Sequence, residues 1–135
     1  MPFKRSFRVR WADTDVALVM HFTNYLRYFE ACEEDFYRSI SSPLNEVQRK
    51  YGIILPRVEA HCIYKAACPF NDVLDIMMRV RVVAKKTITW GFQAVRRRDG
   101  KLAAEGSINC IAVNSDWKAV NLPVHLAKMV REKGR

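Results

Sequence analysis

Only one long helix is written into this chain, and strands follow it. Phe22, Leu26, Phe29, Cys32, Phe36 and Ile40 recur every three to four residues and form a single apolar stripe, while Glu30, Glu33, Glu34 and Asp35 occupy much of the rest. After Gly52 the texture becomes strand-like almost to the end. A lone apolar-striped helix needs a sheet to cover it, so the pattern predicts an α+β plan with the helix on one sheet face. A doubly wound parallel fold needs strands and helices in alternation, which this chain lacks.

The strands read out by alternation. Phe3, Phe7, Val9 and Trp11 share a face with Arg5, and Lys4, Ser6, Arg8 and Arg10 point the other way. Residues 53–66 read as one strand interrupted by Pro56, and Leu74 to Ala84 alternate strongly. Residues 87–97 and 102–113 form two more strands, joined by Arg98-Asp99-Gly100-Lys101, where Asp-Gly is a strong hairpin signal. Ser41-Ser42-Pro43 ends the long helix and starts a short one to about Tyr51, and Pro123 opens a C-terminal helix. At 135 residues the chain suits one domain, 1–135, able to bury roughly two-thirds of its unfolded surface.

Charge and cysteine content narrow the partners. Lys and Arg number 23 against 14 Asp and Glu, a formal net charge of +9, which favours anionic partners. The basic residues are spread over several segments without a compact nucleic-acid module, so neither nucleic acid nor a membrane is expected as partner. No run approaches the ~18 apolar residues of a membrane span, and the first ten residues are charged without a leader-like apolar run. A cytoplasmic location is the expectation. Cys32, Cys62, Cys68 and Cys110 form no Cys-x-x-Cys pair and no zinc-like spacing with histidine, so no metal is expected and the thiols read as reduced.

Residues 13–30 carry the chemistry. Asp13 and Asp15 end the first strand-like segment, an apolar loop follows, and the long helix begins near Thr23. A carboxylate on a rigid strand end, beside the open N–H groups of a helix, suits acyl-group chemistry. The carboxylate acts on substrate or water, and the helix start holds the oxygen that becomes negative. His21, Asn24 and Tyr25 lie at the helix start as candidates for contact with substrate. Arg96-Arg97-Arg98 reads either as a solvated strand end or as a phosphate contact.

This arrangement resembles the hotdog-fold acyl-CoA thioesterases, in particular the 4-hydroxybenzoyl-CoA thioesterase group. The group has Asp-x-Asp after a strand, a Tyr ten residues past the second acid and an acid at fifteen; here these are Asp13, Asp15, Tyr25 and Glu30. Val19 and Met20 match its apolar pair, and similarity extends through Tyr64–Ile76, Asp99–Gly106 and Asn121–Pro123, about residues 3 to 125. The resemblance implies a five-stranded, mostly antiparallel sheet wrapped around the helix. It implies hydrolysis of an acyl-CoA with Asp15 as nucleophile or general base and the Phe22 backbone N–H as oxyanion donor. It also implies a homo-oligomer, dimer or tetramer, with coenzyme A as part of the substrate and no separate cofactor.

One position departs from the group. Leu18 stands where the family has glycine, three residues past Asp15, and a leucine held there at positive φ costs on the order of 1 kcal/mol. Leu18 is therefore also a candidate for lining the acyl pocket. Two other readings stay open: a non-catalytic acyl-CoA or acyl-carrier binding protein, and a basic nucleic-acid binder.

Overall fold

The computed structural model describes residues 1–135. Five strands form one sheet: β1 (Phe3–Arg8), β2 (Arg57–Tyr64), β3 (Val73–Val83), β4 (Thr87–Arg96) and β5 (Leu102–Ile111). Their order in space is β1-β3-β4-β5-β2, and every ladder is antiparallel. The helices are α1 (Asn24–Ser39), α2 (Leu44–Tyr51) and α3 (Val124–Lys133).

The apolar stripe does what its spacing demands. Phe29, Cys32 and Phe36 of α1 are fully buried against the sheet. Phe29 stacks on Phe92 of β4 with ring centroids 4.7 Å apart, and Phe36 meets Trp90 edge-on at 5.0 Å. Each such ring contributes roughly 1.5–3 kcal/mol by burial. Gly106 of β5 makes the close approach possible, because a Cβ there would strike the His61 carbonyl and press on the Phe29 ring.

One acid interrupts this apolar face. Glu33 is fully buried on α1, and Arg57 at the start of β2 grips it with two hydrogen bonds of 2.8 and 3.0 Å. Arg57 also reaches Cys110 at 2.8 Å, while Glu30 lies 3.8 Å away.

The first strand is shorter than its alternation predicts. It stops at Arg8, and a single 3-10 turn over Trp11–Asp13 reverses the facing of the side chains. Trp11, expected inside, is 76% exposed, and Asp13 is 8% exposed in its place. The swap is favourable because Asp13 finds buried partners, described below. The Asp99-Gly100 hairpin also differs in detail. Only Gly100 takes a positive φ, at 70°, and Arg96 and Lys101 close a four-residue loop instead of a two-residue one.

Two edges remain. β1 ends one side of the sheet and β2 the other. Val58, Ile63 and Tyr64 on β2 are all exposed, so this edge is apolar as well as unpaired. No helix is long and apolar enough to cross a membrane.

Candidate active site

Asp15 closes a three-residue hairpin loop, residues 16–18. The Asp15 N–H donates to the Val19 carbonyl at 2.9 Å, and the Leu18 N–H donates back to the Asp15 carbonyl at 3.0 Å. A turn of this kind needs a left-handed residue at its last position, which is why glycine suits it. Leu18 fills that position with φ 59°. Its carbonyl accepts from the Phe70 N–H at 2.9 Å, and Thr14 and Met20 bridge across the base. The loop thus keeps a shape normally reserved for glycine, and the Leu18 side chain projects outward, 52% exposed.

The two acids of the motif have separate surroundings. Asp13 is buried and receives the Tyr28 hydroxyl at 2.7 Å together with the Arg27 guanidinium. Burial first, then the bond to Asp13, pushes the Tyr28 hydroxyl well above its ordinary value, so it stays a donor. The Asp13 carbonyl accepts from the His21 N–H at 2.8 Å and from the Asn24 side chain at 3.0 Å. Asp13 therefore ties the hairpin to α1. Asp15 is half-buried, and its Oδ1 accepts from the Ala17 N–H at 2.8 Å. Its Oδ2 takes no hydrogen bond within the chain, and no cation pairs with it.

The start of α1 lies just beyond this hairpin. His21 supplies the cap: its Nδ1 accepts from the Thr23 N–H at 3.2 Å and lies 2.7 Å from the Thr23 hydroxyl. Nδ1 is thereby engaged at the helix start, and Nε2 is the ring nitrogen without a partner in the chain. The Phe22 N–H has no acceptor within the chain, and the Phe22 carbonyl receives the Tyr64 hydroxyl at 2.9 Å. The Phe22 ring is 59% exposed and stacks on His21 with centroids 4.8 Å apart.

The remaining expected residues divide in the same way. Asn24 spends its side chain on Asp13 and Arg27. Tyr25 is buried beneath the site, edge-on to Tyr64 at 5.4 Å, and burial raises its hydroxyl far above the usual tyrosine value. The structure thus gathers Asp15, Leu18, His21 and Phe22 at one exposed corner, with Asn24 and Tyr25 behind it. Arg96, Arg97 and Arg98 are each engaged by an acid, respectively Asp99, Asp75 and Asp72. Tyr64 has no signal in the sequence, since it reaches Phe22 from 42 residues away.

A long α1 cradled by an antiparallel five-stranded sheet, with an acid hairpin at the helix start, defines the hotdog class. The thioesterase-like superfamily model matches residues 9–132, and the chain belongs to that family. A provisionally assigned esterase of Aquifex aeolicus (strain VF5) is 27% identical over 132 residues, 98% of this chain and all of that protein. Among solved structures, a gentisyl-coenzyme A thioesterase is 25% identical with TM-score 0.81, covering 91% of this chain and 98% of that one. A 1,4-dihydroxy-2-naphthoyl-CoA thioesterase from Synechocystis is 19% identical with TM-score 0.90, covering 98% and 97%, and it supports the fold.

Proposed function

We propose that this protein is an acyl-CoA thioesterase of the 4-hydroxybenzoyl-CoA thioesterase group, releasing a carboxylic acid and free coenzyme A. The observation that carries the reading is one hairpin that presents an uncommitted carboxylate oxygen, Asp15 Oδ2, and leads into a helix-start N–H without an acceptor, that of Phe22. The gentisyl-coenzyme A thioesterase among the structural neighbours supports a coenzyme A thioester as substrate.

Two routes fit this geometry. In one, the Asp15 oxygen bonds to the thioester carbonyl carbon, the C–S bond breaks as coenzyme A leaves as thiolate, and water hydrolyses the resulting anhydride. In the other, Asp15 takes a proton from water as the water oxygen bonds to that carbon, and the same C–S bond breaks. Both make the carbonyl oxygen negative, and the Phe22 N–H with the α1 dipole favours that charge, a contribution of about 3–4 kcal/mol for one such donor. Leu18 and the Nε2 side of His21 face the substrate, while Asn24 and Tyr25 hold the walls behind them. Lys65, exposed beside Tyr64 and without an ion-pair partner, is the candidate for the coenzyme A phosphates. The apolar β2 edge supports a homo-oligomer, dimer or tetramer, in which this edge pairs with its copy.

Thiol release from short, long and aromatic acyl-CoAs tests the reading. Turnover of at least one class is expected. Binding of acyl-CoA without turnover across the panel would instead assign the chain to the non-catalytic acyl-CoA binders.

A further inference from the structure

The two ends of the molecule balance their charge differently. Near Asp15, Arg27 pairs with Asp13, Arg96 with Asp99, Arg97 with Asp75 and Arg98 with Asp72, while Arg8, Arg10, Lys65 and Lys101 are exposed without an acid partner. At the far end of the strands the cations stand alone. Lys85, Lys86, Lys118, Lys128, Arg131 and Arg135 are all exposed, and none has an acid within ion-pair distance. Asp116 and Glu132 are the acids carried by those segments. The segments form one surface, because the Leu122 N–H donates to the Lys85 carbonyl, the Ala112 N–H to that of Lys86, and the Val80 N–H to that of Gly134. At this pole six unpaired cations therefore stand against two acids.

Apolar side chains are exposed on the same segments. Trp117 is 67% exposed and Val124 86%, and Val82 is exposed beside the β3–β4 turn. The Asn114 side chain accepts from the Asp116 and Lys118 N–H groups and fixes the turn that turns Trp117 outward. Single exposed apolar residues are ordinary, but here Val82 and Val124 flank the Lys85 segment, and Trp117, next to Lys118, also walls the groove of Glu30 and residues 53–57.

We propose that this pole docks on an anionic lipid surface. The cations meet the headgroups, and Trp117, Val124 and Val82 enter the boundary region, where tryptophan is favoured and basic clusters are attracted. Nucleic acid would satisfy the charge but offers the two valines nothing. A carrier protein delivering a thioester to Asp15 would have to bind the other end, since β3 alone separates the two by about 35 Å at ~3.3 Å per residue. Surface docking requires no membrane-crossing helix, and it leaves the Asp15 corner open. It stands independently of the thioesterase reading.

Co-sedimentation of the full chain with phosphatidylcholine vesicles, with and without phosphatidylglycerol, tests the proposal. Binding is expected only to the anionic vesicles, weakening as salt rises. Lys85→Glu with Lys86→Glu lowers it at least about tenfold, and Lys85→Gln with Lys86→Gln gives an intermediate loss. Trp117→Ser weakens binding at unchanged charge, and the fluorescence blue shift on vesicles disappears in Trp117→Phe. Thermal unfolding of each variant checks that the fold is kept. Failure to bind anionic vesicles at low salt, or binding indifferent to these substitutions, overturns the proposal. Tight binding of duplex DNA unaffected by Trp117→Ser, without vesicle binding, assigns the pole to nucleic acid and overturns it equally.

Discussion

Leucine at position 18 holds a backbone angle that suits glycine, and the hairpin keeps its shape regardless. Three fixed bonds do this: Asp15 to Val19, Leu18 to Asp15, and Phe70 to the Leu18 carbonyl. Removing the side chain relieves roughly 1–2 kcal/mol of left-handed strain but gives back about 0.5–1 kcal/mol in unfolded-chain freedom. Leu18→Gly should therefore raise stability in urea unfolding by up to about 1 kcal/mol, whereas β-branched Leu18→Val should lower it. At this scale the sequence was partly legible. The turn position of Leu18 followed from the resemblance, in which glycine stands three residues past the second acid. The partners of Asp13 were not legible, because Arg27 and Tyr28 face it only once the 3-10 turn has swung Trp11 outward.

Among the elements, the join between α1 and β2 holds a buried ion pair. Glu33 is wholly buried and Arg57 is its partner, so Arg57→Met should cost about 3–5 kcal/mol by stranding the carboxylate. Glu33→Leu with Arg57→Met should recover most of that loss in the same urea titration, and equal losses for the single and double variants would refute the coupling. The β1–β3 join carries a pH-dependent bond of a different kind. Burial alone would raise the Asp75 carboxyl, but hydrogen bonds from Arg97 and Ser6, helped by Lys4, outweigh it and hold the group below its ordinary value. A depressed carboxyl stabilises the fold above its unfolded pKa of about 3.9 and loses that contribution as pH falls through the folded value. Asp75→Asn should therefore lower the unfolding temperature at neutral pH, with the gap to the parent closing in strong acid. Strand and helix identities were readable because alternation and the three-to-four spacing record which side is buried. Their ends were less so: β1 stops three residues before Trp11, and the helix cap comes from His21 and not from the Thr23 side chain.

At the scale of the whole molecule, the apolar β2 edge and the basic pole are the surfaces that one chain leaves uncovered. Composition revealed the surplus charge but not which cations share an end, which depends on the bonds from Leu122 to Lys85 and from Ala112 to Lys86. Val58→Glu with Ile63→Glu places charges on the β2 edge without touching the core, and should convert an oligomer to monomer in light scattering. The central claim is the chemistry of Asp15, and one substitution isolates it. Asp15→Asn keeps the acceptor for the Ala17 N–H, so the hairpin survives while the carboxylate is lost. Thiol release at saturating acyl-CoA, beside thermal unfolding of the same protein, should show turnover reduced at least about a hundredfold at an unchanged unfolding temperature. Undiminished turnover in Asp15→Asn would contradict the account.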